Sequence, residues 1–384
     1  MPGAVTRTVC LLGFGNVGRR FCELVARKGD ELAADHGLRV LFTAVGTGSH
    51  GSLVAHPGLS AAEVLATYAS GAGHTGAPGS VPPEATFPDP ARPSVELIAA
   101  SGADLLVEAT PLDPHGGVAA IAHLDAGLGR GMDAITVNKG PIAWDYGRLA
   151  DLAALRGRRL LFEGAVMDGC PIFSLFRSCL PGCRLLGFEA VFNSTTNYIL
   201  DAMGEGVGFA DALARVRADG YAETDPSHDI DGHDAAAKTA ALANVLMAAG
   251  LTPDDVPKDS IRDVDPARVR ALRAAGKRLR VVCRAQRNGE TAGAGHDRAA
   301  GARQDDFGEA AVAGHHDGGG AVRAEVRLTE LAPEHPLFSA AGSTLSALLH
   351  TDLMGTIQVA ELDGLPDQTA YAIYADLVSI HEGS

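Results

Sequence analysis

Apolar positions along this chain follow two regimes. Up to about residue 164, short unbroken apolar runs alternate with segments whose apolar residues recur at helical spacing. The runs RTVCLLG (7–13), LRVLFTAVG (38–46), ADLLVEATP (103–111), MDAITVNKGP (132–141) and RRLLFEGAV (158–166) predict buried strands. Between them, NVGRRFCELVARKGDELAADHG (16–37), DPHGGVAAIAHLDAGLGRG (113–131) and IAWDYGRLADLAALRG (142–157) predict helices, the first closing on Gly37. Strands alternating with helices in this way predict an α/β domain with a doubly wound parallel sheet.

Beyond residue 164 the pattern changes. CRLLGFEAVF (183–192) and VRAEVRLTEL (322–331) read as half-exposed strands, and GFADALARVRADG (208–220) and DAAAKTAALANVLMAAG (234–250) as helices. A second, mixed α+β domain is expected over residues 151–365, after a first domain over 1–150. The amphipathic segment QTAYAIYADLVSI predicts a C-terminal helix, about 366–384, that completes the first domain. Residues 70–93 are a Gly/Pro-rich loop. Residues 286–320 are Gly-, Ala- and charge-rich without a period, and predict a mobile hairpin insertion between two strands, with His315 and His316 as solvated rather than metal-binding residues.

Composition narrows the classes. A chain of 384 residues is too long for one compact core, which agrees with two domains. Hydrophobic residues make up 46% and net charge is −15, which fits a globular protein and argues against nucleic acid or an anionic membrane as partner. No apolar run approaches the roughly 20 residues needed to span a bilayer. The N-terminus enters a strand without a secretory leader. The six cysteines lack a CxxC; Cys170, Cys179 and Cys183 could form a metal cluster, but buried reduced thiols are the favoured reading, so a cytoplasmic location is expected.

Three features carry chemistry. Gly13-Phe14-Gly15-Asn16-Val17-Gly18 joins the first strand to the first helix, where glycines let the backbone approach a dinucleotide pyrophosphate at a helix N-terminus. Asn138-Lys139 lies at a strand's carboxyl end, the edge that faces the ligand crevice in such a sheet. The stretch GYAETDPSHDIDGHDAAAK (220–238) gathers five carboxylates and two histidines before a single cation, Lys238. Asp234 and Lys238, four apart at a helix start, share one face. That lysine can handle a substrate proton, or it can be an ordinary surface ion pair. The offsets of Asp225, Asp229 and Asp231 do not match a calcium loop, and His228 with His233 lacks further zinc ligands. An amino-acid substrate suits the site better, because its ammonium needs carboxylates such as Glu223 and Asp229.

In order and spacing, GFGNVG, VNKGP, EGAVMDGCPI, NSTTNYIL and GYAETDPSHDIDGHDAAAK resemble homoserine dehydrogenase from about residue 8 to 250, and the similarity resumes at HPL and QTAYAIYADL. The resemblance implies NAD(P)-dependent interconversion of L-homoserine and L-aspartate 4-semialdehyde, in threonine, methionine and isoleucine biosynthesis. It implies that Lys139 and Lys238 are catalytic, with Asp234 beside Lys238. It assigns Glu223, Asp229, Asp234 and Thr195 to the substrate. It assigns Gly13, Phe14, Gly15, Asn16, Val17, Gly18, Thr110, Lys139, Gly220, Glu223 and Gly364 to NAD or NADP. It further implies a sodium ion at Glu163, Val166, Asp168 and Cys170, and a homodimer formed through the second domain.

Three departures stand out. Asn193-Ser194-Thr195-Thr196-Asn197 replaces the usual Asn-Gly-Thr-Thr-Asn; of the late glycine turn ELDGLPDQTA retains only Gly364; and the end at Ser384 leaves no room for an ACT-type regulatory domain. Rival readings are a Rossmann oxidoreductase for another amino acid and a non-catalytic nucleotide-binding regulator. The second strand ends TAVGTGSHG without a carboxylate, so nothing there repels a 2′-phosphate; Thr47, Ser49 and His50 can donate to one, with Arg19 and Arg20 nearby. Use of both cofactors, with NADP favoured, is expected.

Overall fold

A computed structural model of the chain describes residues 4–48, 51–69, 85–86, 94–113, 116–218, 226–288, 312–313 and 321–383. Gly220, Glu223, Ser49, His50 and most of the 286–320 insertion, His315 and His316 included, lie outside the described residues. The chain divides into two units: residues 1–141, 147–169 and 365–384, and residues 142–146 and 170–364.

The first unit is built on a seven-stranded sheet. Its strands are β1 (Val5–Leu12), β2 (Leu38–Gly46), β3 (Ser52–Leu59), β4 (Ala85–Thr86), β5 (Leu105–Glu108), β6 (Asp133–Thr136) and β7 (Leu160–Leu161), in the order β4-β3-β2-β1-β5-β6-β7. The five strands from β2 to β7 across this order run parallel, while β3 and β4 add an antiparallel edge. The strand order reverses between β1 and β5, and in open α/β sheets that reversal is where ligands bind.

Both faces of this sheet are covered, which is why its strands read as continuous apolar runs. Val9 and Leu11 of β1 pack with Phe21, Cys22 and Val25 of α1 (Asn16–Asp35) and with Ile373, Leu377 and Ile380 of the C-terminal helix Pro366–Glu382. The alternate residues Cys10 and Leu12 face the other way. They meet Leu97 and Ile98 of one helix, Ser94–Ser101, and Leu124 and Leu128 of another, Val118–Gly129.

Two sequence expectations are corrected here. The run 132–141 is strand only over β6: Asn138 caps a helix that starts at Lys139 and runs to Leu155, with a break at Asp145. The run 158–166 is strand only at β7, followed by a 3-10 turn, Glu163–Ala165. A parallel strand continues only as far as its neighbour offers main-chain partners, and β6 leaves β5 at Glu108–Thr136.

The second unit holds an antiparallel sheet of β8 (Leu185–Val191), β9 (Arg278–Arg287), β10 (Val312–Ala313), β11 (Val322–Leu331), β12 (Leu345–Thr351) and β13 (Thr356–Glu361), ordered β10-β11-β9-β8-β12-β13. The helix His233–Met247 packs on β9 and β11, and its small residues Ala235, Ala236, Ala240, Ala241 and Ala243 are all buried. Within it, the Asn244 amide donates to the carbonyls of Ile142 and Ala143 at 3.3 Å and of Leu251 at 2.8 Å, which ties residues 142–146 to this unit.

Candidate active site

In the first unit, the turn after β1 has the shape a dinucleotide needs. Gly13 has φ +94°, and a Cβ there would lie 2.2 Å from the Ala109 carbonyl oxygen; a Cβ on Gly18 would lie 2.0 Å from that of Gly13. A Cβ on Gly15, the residue that caps α1, would meet nothing within 4 Å, leaving room for a pyrophosphate on the helix N-terminus. Asn16 and Val17 open α1, whose first turn carries no acid. The Phe14 ring stacks on Tyr68 with centroids 4.5 Å apart. Arg19 pairs with Glu23 at 3.0 Å and Arg20 with Asp367 at 2.6 Å, and the Thr47 hydroxyl donates to Gly51 O at 2.9 Å.

A buried network underlies Thr110 and Lys139. Glu108, fully buried, ends β5. It accepts from Thr110 N at 3.1 Å, from the Thr110 hydroxyl, and from the Thr136 hydroxyl at 2.8 Å. Thr136 Oγ1 accepts from Asn138 N at 3.0 Å. The Asn138 amide then donates to Thr110 O at 3.3 Å, while its oxygen accepts from Gly140 N at 3.0 Å as the helix cap. Half-buried Lys139 is therefore the first residue of a capped helix, just past the strand end where the sequence places it. The Thr110 hydroxyl and main chain are thus both tied into this network.

In the second unit, Lys238, Asp234, Asp229 and Thr195 come together. Gly232 (φ +76°) precedes the helix His233–Met247; a Cβ there would lie 2.8 Å from Asp259 O. Asp234 occupies the helix's first turn, where the helix dipole favours an anion. Lys238 Nζ lies 3.2 Å from Asp234 Oδ2 and donates to Phe192 O at 2.8 Å; at 14% and 11% side-chain exposure this is not a surface pair. Asn193 Nδ2 donates to Asp229 Oδ1 at 2.7 Å and to Asp234 Oδ2 at 3.0 Å. Burial, and then the Asp234 charge, hold the Asp229 carboxyl above its ordinary range, while hydrogen bonds from Asn193 and Thr195 and the Lys238 charge pull it back. Behind them, burial pushes the Cys283 thiol up to about 12, so it stays neutral.

The other residues of the acidic stretch sort differently. Asp231 points to Arg262, 2.7 Å away, and lies outside the cluster. The His228 and His233 rings meet edge-on at 5.7 Å, and the described residues include no group of three or more His, Cys, Asp or Glu able to hold a metal. Gly364 ends the second unit before the C-terminal helix. Glu163 and Val166 are buried, with Glu163 N donating to Asp376 Oδ2 at 2.9 Å. Asp168 has φ +48°, unusual for a residue with a side chain, and accepts from the Thr369 hydroxyl at 3.4 Å; Cys170 O accepts from Ile172 N at 2.8 Å. Two residues that tie the candidate site together were given no part in it by the sequence reading, Glu108 and Asn193. The available signals were an acid ending an apolar strand and an Asn directly before a helix.

A family model for homoserine dehydrogenase matches residues 171–378. An NAD(+)-dependent homoserine dehydrogenase of Pseudomonas canavaninivorans is 30% identical over 379 residues, 98% of this chain and 96% of that protein. A homoserine dehydrogenase of Methanocaldococcus jannaschii is 29% identical over 381 residues, 98% and 99% of the two chains. A hyperthermophilic archaeal homoserine dehydrogenase solved with NADPH superposes with a TM-score of 0.74 at 24% identity, covering 99% of both chains, a likeness of fold. With a dinucleotide turn in one unit, a lysine among carboxylates in the other, and relatives aligned end to end, this chain belongs to the homoserine dehydrogenase family.

Proposed function

We infer that the chain interconverts L-homoserine and L-aspartate 4-semialdehyde with NAD(P), and that Lys238, Asp234, Asp229, Thr195 and Glu223 serve the substrate. The observation that carries this assignment is the buried cluster in which Lys238 Nζ is held between Phe192 O and Asp234 beside a second carboxylate, Asp229. Relatives aligned across the whole chain do not favour a different amino acid or a non-catalytic regulator.

When bound, the nicotinamide ring supplies the hydride acceptor. Gly13, Gly15 and Gly18 let the main chain reach the pyrophosphate, and Thr110, Lys139, Gly220, Glu223 and Gly364 complete the cofactor assignment. The anionic carboxylates hold the substrate ammonium and so fix the alcohol carbon for reaction. As the hydroxyl gives up its proton, negative charge builds on its oxygen and passes into the new carbonyl bond as the hydride leaves the carbon. The Lys238 ammonium stabilises that oxygen and takes part in moving its proton, with Lys139 as the second lysine of the reaction.

A sodium ion at Glu163, Val166, Asp168 and Cys170 is part of the proposal. Main-chain carbonyls there are the hard oxygen donors such a cation takes. So are a homodimer through the second unit, which sedimentation in solution checks, and a cytoplasmic location. No described helix is long and apolar enough to cross a membrane.

The activity test is oxidation of L-homoserine against a panel of other amino acids, with NAD and NADP in turn. Turnover of another amino acid at equal kcat/KM rejects the substrate assignment. Both cofactors are expected to work with NADP preferred, because no carboxylate follows the end of β2 before Glu63. An NAD preference above tenfold rejects that. Glu223→Gln keeps shape and removes charge, so KM for homoserine is expected to rise more than KM for the cofactor. A change confined to the cofactor KM moves Glu223 out of the substrate set.

A further inference from the structure

We propose that Asn193 is a positioning residue that holds the carboxylates of Asp229 and Asp234 together as one ammonium-binding pair. The inference rests on the homoserine dehydrogenase reading of the same cluster.

Asn193 follows β8 directly after Phe192, whose carbonyl holds Lys238, and it caps the helix Ser194–Gly204. Its side-chain oxygen accepts from Thr196 N at 2.8 Å. That bond fixes the amide's orientation, because an oxygen committed to the helix N-terminus leaves only the nitrogen for the other side. Both hydrogens of that nitrogen are used, one on Asp229 at 2.7 Å and one on Asp234 at 3.0 Å. One side chain, 5% exposed, thus links a helix cap to two acids that lie 36 and 41 residues further along the chain.

Two buried carboxylates brought close repel, and the usual outcome is that one takes up a proton. A protonated carboxyl binds an ammonium less well than a carboxylate does. The groups that face the pair are Lys238 from the helix His233–Met247, Asn193 and Thr195 at the start of the helix Ser194–Gly204, and Cys283 from β9. Cys283 is neutral, so Lys238 supplies the positive charge among these groups and the two amide hydrogens supply a neutral counterweight. An amide suits this role because it stabilises both anions without forming an ion pair that a substrate ammonium would have to displace.

Two substitutions keep the helix cap and remove the amide: Asn193→Ser and Asn193→Asp. For Asn193→Ser, KM for homoserine is expected to rise about tenfold or more, with KM for NAD(P) within twofold. The acid limb of kcat/KM against pH should move to higher pH. The sign follows from the geometry: hydrogen bonds to ionised carboxylates favour the charged form, so losing them raises the pH at which the pair ionises. Asn193→Asp sets a third carboxylate among two and should move the limb further the same way. An unmoved acid limb in both variants, or equal rises in both KM values, overturns the proposal. Loss of fold in both variants overturns it too, since the amide would then serve the fold and not the carboxylate pair. A wild-type enzyme inactive on homoserine rejects the family activity instead, and the wild-type measurement made alongside separates that outcome.

Discussion

Lys238→Ala is expected to lower kcat by about 10² or more while the Kd for NAD(P) stays within about twofold. The size follows from what the side chain does in the cluster. Its ammonium is 3.2 Å from Asp234 Oδ2 and 2.8 Å from Phe192 O, so it is placed by two contacts before any substrate arrives. A charge fixed in advance at a site with little water costs no reorganisation as negative charge builds on the substrate oxygen. Removing it deletes the stabiliser and the proton route together. The dinucleotide turn lies in the other unit, which is why cofactor affinity is expected to hold. Steady-state kinetics with homoserine, together with a cofactor fluorescence titration, checks both halves. A variant retaining more than a tenth of wild-type kcat shows that Lys238 is not the catalytic lysine.

Glu108→Ala is expected to destabilise the first unit by about 3–5 kcal/mol, since it leaves one buried and two half-buried donors without an acceptor at roughly 1–3 kcal/mol each. Those donors are Thr110 N and the hydroxyls of Thr110 and Thr136. In a unit of this size that corresponds to a fall in Tm of roughly 10 °C. Glu108→Gln keeps an acceptor oxygen and the shape of the network, so it should cost less than the alanine variant. Because Thr110 and the Asn138 cap of the Lys139 helix depend on the same network, kcat is expected to fall in Glu108→Ala even at temperatures where it stays folded. Thermal unfolding followed by circular dichroism tests the stability claim. A loss below about 1 kcal/mol would mean that the two strand ends are held by main-chain pairing alone.

The expected α/β sheet followed from residues that answer only to local rules. Apolar runs bounded by glycines gave β1, β2 and β5, and apolar residues at helical spacing gave α1 and the C-terminal helix. The segment Ser52–Leu59 is a strand despite Pro57, because it lies on the antiparallel side of β2, near the edge where a missing N–H is tolerated. Nothing in its own eight residues announces that neighbour. The same limit applies to 132–141, where the apolar pattern continues past the last paired residue and a cap takes over at Asn138.

The site divides along the same line. Sequence alone determined the glycine turn after β1, the shared face of Asp234 and Lys238, and the concentration of acids in front of that lysine, since each depends on residues within one turn or one helix. Only the tertiary structure decided how those acids are partnered. Asp229 and Asp234 turn towards Asn193, whereas Asp231, between them in sequence, pairs with Arg262, 31 residues away. It also decided the partners of Asn193 and Glu108. Asn193 meets its acids across 36 and 41 residues, and Glu108 reaches Thr136 across 28. A hydrogen bond between distant segments is set by how the sheets and helices pack, and local hydrophobic periodicity carries no record of that packing.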